Sequence, residues 1–597
     1  MAPSPPTPAA TPAPGGRRAA ALALLVLLPL ALRLAPIGHG LPTTSYVPDT
    51  HIVRGALGMA KEKTPVPPAG AYTSYPYLMP YLLLPIYAAQ YGAGRAAGDW
   101  AGAGEYGMRL LEEPERAHLP ARVLVALLGA LTPWVVLRAA RAMGLRAGAW
   151  VAAWLVATGL LHVHFSVQER PWVPMVLFLA LASWGAAAYL AGGRTRALLA
   201  SAAAAGLALA THQGGLLAVG IPGLAWIARP GGWSGAELAQ RGKLALAGLA
   251  VFAGLAVAAG HPYLLVHGAP AAEHVSGGLG GDVQVGGQGF SYRFRAASLA
   301  RMVRAFFGYD PALLVLALAG LPFALRVRAA LPATVFALGW AAVFLTNFND
   351  HVRYLLPLAV LLAPAAGFAA ERLWSAAGLR WALVPLLALP LVQSARLGWV
   401  LVQPDTRALA AQRLAELDAR VAIDIYGPDL PLDLASLERL AGWRELYARE
   451  AHRHALLEAG VEPIAGAGLD AVSVADLFDF EMRTHSSCIK PGREHLGATP
   501  DEILAGLGVT HVLLVDRNPG DGVPPFLIDP TPATGGAEKL PLLSVEAAPL
   551  FTVSPSERDA PWEARLPTEL DFPLTSLWSV SRPGPLLTLY RLAEEDG

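Results

Sequence analysis

The sequence predicts an α-helical polytopic membrane protein that ends in a water-facing α/β domain. Three observations predict it. Of 597 residues, 54% are hydrophobic and 15% charged, and the mean hydropathy is +0.43; soluble globular chains carry about 25% charged residues. Between Ala19 and Val402 the charges stand in short groups separated by apolar runs. Beyond Pro404 they are spread evenly, and strand-like stretches alternate with helix-like ones. Lys+Arg and Asp+Glu both total 45, so net charge points to no nucleic-acid partner. The single cysteine, Cys488, has no internal disulfide partner and leaves the redox compartment open.

Residues 1–16, rich in Pro, Ala and Thr, read as a disordered tail, 17–402 as a transmembrane module and 403–597 as the outer domain. A helix crossing the hydrocarbon core needs about 20 apolar residues. The runs 19–36, 121–140, 147–165, 171–191, 242–262, 309–327, 330–346, 352–370 and 381–402 qualify. The first is long for a signal peptide and reads as a span. The run 197–228 is too long for one helix, and Thr211-His212-Gln213-Gly214 divides it in two. That makes about eleven spans.

Lys and Arg concentrate in short cytoplasmic loops. Arg17-Arg18 places the N-terminus inside, and alternate loops then carry Arg138, Arg141 and Arg146; Arg194 and Arg196; Arg229, Arg241 and Lys243; Arg326 and Arg328; Arg372 and Arg380. All of these fall inside only if 75–91 does not cross. Its Tyr75, Pro76, Tyr77, Pro80, Tyr81, Pro85 and Tyr87 suit a helix at the outer interface. Large outer loops at 37–120 and 263–308 follow, and the outer domain lies on the same side. In that domain Val421–Tyr426, Val509–Val515 and Pro585–Leu592 are strand-like; Thr406–Leu417, Leu434–Ala459 and Pro500–Leu507 are helix-like. Asp424, His511 and Asp516, near strand ends, read as solvated or structural polar residues.

Candidate chemistry clusters on the outer side. Asp49, in Pro48-Asp49-Thr50-His51, stands past the outer end of the first span, where it could accept a proton or hold a metal; capping a helix near His51 is the alternative. The stretch His162-Val163-His164-Phe165-Ser166-Val167-Gln168-Glu169-Arg170 places charges at a depth where they need pairing or water. The turn Asn347–Tyr354 holds His351, Arg353 and Tyr354. The loop 263–308 combines Gly-rich 277–289, read as a hinge or lid, with Arg293, Arg295, Arg301 and Arg304. Arginines on the outer side run against the positive-inside bias and suit an anionic group such as a lipid phosphate.

Together these segments resemble the GT-C superfamily of membrane glycosyltransferases, in particular its protein O-mannosyltransferase and aminoarabinose-transferase branch. Pro48-Asp49-Thr50 with Arg54-Gly55-Ala56-Leu57 is similar to the family's Pro-Asp-Glu segment, and Ser74-Tyr75-Pro76-Tyr77-Leu78 to its juxtamembrane helix. Ala121-Arg122, His164-Phe165 through Pro171, Thr211–Gly214, His261-Pro262-Tyr263 and Arg353-Tyr354-Leu355-Leu356-Pro357 resemble further landmarks. The chain departs from the pattern at Thr50 and Glu169, where the family usually has Glu and Asp, and in having no Lys at the Lys-Pro position of the aminoarabinose transferases.

The resemblance implies a GT-C-like fold and sugar transfer from a polyprenyl-phosphate donor to an acceptor hydroxyl of a lipid, polysaccharide or protein. It implies a plasma (inner) membrane location and catalysis at the outer face. Asp49 and Glu169 become the catalytic candidates, with Asp49 as base, and Arg54, Arg293 and Arg353 the donor-phosphate ligands. His51, Tyr75, His164, Arg170, His351 and Tyr354 would line the substrate cavity. There is room for a divalent cation, Mg or Mn, on Asp49 and Glu169. Direct displacement with one base predicts inversion. The alternatives are a non-catalytic subunit of the same fold, and a lipid or sugar transporter; the latter expects broken helices, and Thr211–Gly214 is the only break the sequence predicts.

Overall fold

The computed structural model describes residues 15–43, 51–66, 76–231, 234–267, 283–285, 288–290, 294–346, 351–376, 378–417, 419–424, 427–428, 430–443, 446, 448–463, 468–473, 504–516, 548–557, 562 and 569–592. Helices dominate. In chain order they are α1 (Gly15–Leu34), α2 (His51–Lys61), α3 (Leu78–Ala97), α4 (Ala103–Glu112), α5 (Pro114–Ala142), α6 (Ala147–Thr158), α7 (Leu160–Ser166), α8 (Trp172–Gly192), α9 (Thr195–Thr211), α10 (Gly220–Ala228), α11 (Gly235–Leu255) and α12 (Tyr263–His267). They continue with α13 (Ala296–Tyr309), α14 (Pro311–Ala324), α15 (Leu331–Phe344), α16 (Leu356–Leu361), α17 (Ala363–Ser375), α18 (Leu383–Leu401), α19 (Thr406–Leu414), α20 (Leu434–Trp443), α21 (Ala448–Glu458) and α22 (Pro573–Ser579).

Every run expected to cross is helical. Among the described residues, Pro114–Ala142, Trp172–Gly192, Gly235–Gly260 and Arg380–Leu414 are each long and apolar enough to span a membrane. Three bent pairs pass the same test: α6 with α7, the 352–361 stretch with α17, and α13 with α14, bent by 47°, 49° and 115°. Ala23–Leu34, α9, Gln213–Ala228 and α15 are shorter apolar helices. Large apolar side chains stand exposed on these elements, Leu246 at 70% and Leu318 at 61% among them, as expected where lipid replaces water.

The bundle interior is built on small residues, which let helices approach where apolar lipid removes the usual hydrophobic drive. A Cβ on Gly148 would collide with the backbone of Gly367, and one on Gly320 with that of Ala365. These glycines bring α6 and α14 against α17.

The expectation that Thr211–Gly214 is the only break is corrected: α6 and α7 part at Gly159, and a 3-10 turn, α16 and α17 divide the 352–375 stretch at Leu362. The predicted break near His212 is present too, and the ring explains it. His212 is extended, and its Nδ1 accepts from Gly214 N at 2.9 Å, opening the 3-10 helix Gln213–Val219. Expected loop 263–308 carries α13, with Ser298, Met302, Phe306 and Tyr309 buried at helical spacing. Its Gly-rich part, read as a hinge or lid, contains an antiparallel pair, β1 (Val283–Val285) and β2 (Gln288–Phe290).

Beyond residue 403 the chain forms a five-stranded mixed sheet from β3 (Val421–Ile423), β4 (Ala471–Ser473), β5 (His511–Asp516), β6 (Phe551–Val553) and β7 (Leu586–Arg591), in the order β4-β3-β5-β7-β6. β3 runs parallel to β4 and β5, and β7 antiparallel to β5 and β6. Side-chain alternation gives each face its own core: Ala422, Val512 and Leu514 on one, Val421, Leu513, Val515, Leu587 and Leu589 with α19 on the other. Asp424 is structural, accepting from Val515 N at 3.0 Å. The expected long helix 434–459 is two helices, and β4 and β6, three residues each, escaped the sequence pattern. Within expected domain 403–597, Trp562, Leu570, Leu577 and Val580 join the apolar cluster of the helical bundle.

Candidate functional site

The site begins with a backbone problem. A helix broken inside an apolar bundle leaves carbonyls and N–H groups without intrahelical partners. At Gly159 charged side chains take both sides. Arg33, fully buried in the last turn of α1, donates to Ala157 O at 3.1 Å and Val156 O at 3.4 Å, and to His162 Nδ1 at 2.8 Å. Asp310, between α13 and α14, accepts from Leu160 N at 2.8 Å and Leu161 N at 3.2 Å. α7 is thereby fixed as a separate short helix that delivers His164, Gln168 and Glu169 to one end of the bundle.

Glu169 is completely buried. His118 Nδ1 donates to one carboxylate oxygen at 2.6 Å and Arg122 Nε to the other at 2.7 Å. Both partners come from α5, one turn apart, so they share a helix face. Burial works to raise the Glu169 carboxyl, but Arg122 and His118 prevail and hold it below the usual carboxylate range. Arg122 Nη1 also donates to Ile37 O at 3.1 Å and His39 O at 2.6 Å. One guanidinium therefore ties Glu169 to the chain that leaves α1. His39 and His164 are buried beside this group, and Gln168 Nε2 donates to His164 Nε2 at 3.2 Å. Arg170, also buried, lies over the Phe165 ring at 5.8 Å.

A second group adjoins across Trp172. Its ring lies 4.1 Å from His212 and 5.3 Å from Tyr354. Tyr354 is buried and its carbonyl accepts from Trp340 Nε1 at 2.9 Å. Arg353, half-buried, lies 5.8 Å from the Tyr354 ring, and His351 5.9 Å. His351 and Val352 N meet Glu569 from near the C-terminus, at 3.7 and 3.1 Å.

Of the expected site residues, the structure brings Glu169, His164 and Arg170 together, and His351, Arg353 and Tyr354 together. Arg54 is exposed on α2, whose other side buries Ile52, Val53, Ala56 and Met59. Asp49, Tyr75 and Arg293, and the His51 side chain, lie outside the described residues. His118, Arg33, His39 and Glu569 were missed. The i, i+4 spacing of His118 and Arg122 was the one available signal. Among the described residues no group of three His, Cys, Asp or Glu could hold a metal ion. Glu169 has a guanidinium against its carboxylate, a setting that does not suit a divalent cation.

A family model described as dolichyl-phosphate-mannose-protein mannosyltransferase matches residues 107–259, a segment that contains His118, Arg122, His164, Glu169 and His212. No curated protein matches the chain. Among solved structures, ArnT from Cupriavidus metallidurans in the apo state is 16% identical over 67% of this chain and 72% of that one, with a TM-score of 0.42. The archaeal oligosaccharyltransferase AglB from Archaeoglobus fulgidus, in complex with an inhibitory peptide and a dolichol-phosphate, is 13% identical over 84% and 69%, at 0.45. The arabinofuranosyltransferase AftD from Mycobacteria is 16% identical over 96% and 40%, at 0.40. The expected resemblance to GT-C membrane glycosyltransferases is borne out, and with it the enzyme class: a membrane glycosyltransferase.

Proposed function

We propose that this glycosyltransferase moves a sugar from a polyprenyl-phosphate donor to an acceptor hydroxyl at the outer face of the plasma (inner) membrane, with inversion. The observation that carries the reading is the family-model match over 107–259, the segment holding the buried Glu169–Arg122–His118 group. The chain crosses the membrane about eleven times, with its N-terminus inside and the sheet of residues 421–591 outside. The Lys/Arg alternation supports that orientation.

The chemistry needs a base for the acceptor hydroxyl and positive charge for the departing phosphate. Asp49 is the base, two residues ahead of α2. Glu169 works through Arg122, which grips the Ile37 and His39 carbonyls and so steers the stretch leading to Asp49. Arg54, Arg293 and Arg353 are the residues assigned to neutralise the phosphate. The leaving phosphate is stable as an anion, so one carboxylate suffices without a general acid.

The test is transfer of radiolabelled sugar from a set of polyprenyl-phosphate sugars in purified membranes, wild type against Asp49→Asn. A general base contributes about 10²–10⁴-fold, and a loss of that order is expected with the protein still folded. Full activity in the variant discards Asp49; no transfer by wild type from any donor discards the reaction.

A further inference from the structure

We propose that Glu569 is a positioning residue for donor binding: it reaches from the C-terminal region into the helical bundle and holds the turn that carries Arg353 and Tyr354. The assignment rests on the transferase reading above.

The chain after Glu569 is fastened to the bundle at several points. Leu570 N donates to the Tyr309 hydroxyl at 2.7 Å. Arg396, on α18, donates to Leu577 O at 2.8 Å and Val580 O at 2.7 Å. Arg304 lies 5.3 Å from the Phe572 ring, and Gly308 passes so close beneath that ring that a Cβ would stand 2.9 Å from it. Held this way, Glu569 is buried at 3% exposure. Its Oε1 accepts from Val352 N at 3.1 Å and lies 3.7 Å from His351 Nδ1.

Val352 opens the 3-10 turn Val352–Leu355, and the His351 side chain makes no cap on it. The acceptor for Val352 N comes instead from 217 residues away. At its other end the turn is fixed by Trp340 Nε1 on Tyr354 O and by the Trp172 ring against Tyr354. Arg353 lies between these two fixings. Withdrawing the carboxylate oxygen releases the N-terminal one, and the guanidinium loses its place while the rest of the site stays.

Three variants separate reach from charge. Glu569→Gln keeps an oxygen at the same distance and loses the charge; Glu569→Asp keeps the charge and draws the oxygen back; Glu569→Ala removes both. Measured with the full-length protein in nanodiscs and a polyprenyl-phosphate sugar, KM for the donor rises about tenfold in Ala and Asp, with kcat within about twofold. Gln stays near wild type. Independently of any donor, hydrogen exchange of the 351–355 segment rises in Ala and Asp and not in Gln. Unchanged exchange in Asp overturns the assignment, as does raised exchange with an unchanged donor KM. The Asp and Gln variants decide the matter if Ala does not fold. Wild type inactive with every donor overturns the transferase reading and the donor role with it, an outcome told apart by the wild type alone.

Discussion

At the residue scale the decisive pair is Glu169 with Arg122. A buried carboxylate is tolerable only when paired and hydrogen-bonded, and here both oxygens are met. Glu169→Ala leaves Arg122 buried without its counter-charge and should cost about 3–5 kcal/mol of stability, read from thermal unfolding in detergent. The pH dependence has a definite sign. The folded carboxyl titrates below the ordinary glutamate value of about 4.3, so the pair's contribution is complete above that ordinary value. It is lost as pH falls through the depressed folded value. Wild type should therefore lose more unfolding temperature than Glu169→Gln between pH 6 and 3; parallel curves would show that the pair contributes nothing.

At the scale of elements, packing depends on glycines at helix crossings. Gly148 and Gly367 let α6 and α17 meet backbone to backbone, and Gly320 does the same for α14. A side chain there has nowhere to go. Gly148→Leu should destabilise by about 1–3 kcal/mol or more through overpacking, while Gly223→Leu, at a site with open space around it, should stay within about 0.5 kcal/mol. Differential scanning of both variants in one detergent makes the comparison; equal shifts would remove the close approach as the cause. The same scale explains the breaks, since Arg33 and Asp310 satisfy the ends that Gly159 exposes.

Across the whole molecule, the region after residue 403 is locked to the segment between α1 and α5. Arg453 on α21 pairs with Glu112 at the end of α4 at 2.9 Å, both buried, and Arg453 also bonds Leu432 O. Lys61 and His452 add a contact at 2.9 Å. Replacing either partner of the buried pair by Ala should cost about 3–5 kcal/mol. The double variant should cost less than the two together, with a coupling of about 0.5–3 kcal/mol. A double-mutant cycle by thermal unfolding measures it, and additive losses would show that the two side chains do not act as a pair.

Much of this was legible in one dimension. Runs of apolar residues near 20 long located every crossing-length helix, because a hydrocarbon solvent makes length and composition local properties of the chain. The interruption at His212 and the strands at 421–423, 511–516 and 586–591 were readable for the same reason: turn residues and alternation act over a few positions. Glu169 stood out because a charge among apolar residues needs an explanation. Its partners did not, since His118 and Arg122 lie 51 and 47 residues away and pairing across that distance follows from how α5 packs on α7 and α8. Glu569 was invisible for the same reason at longer range. The sequence by itself determined which segments are apolar helices of near-spanning length, and so the mostly helical architecture. Only the tertiary structure decided which buried charges meet, because burial requires that each find a partner and packing alone selects it.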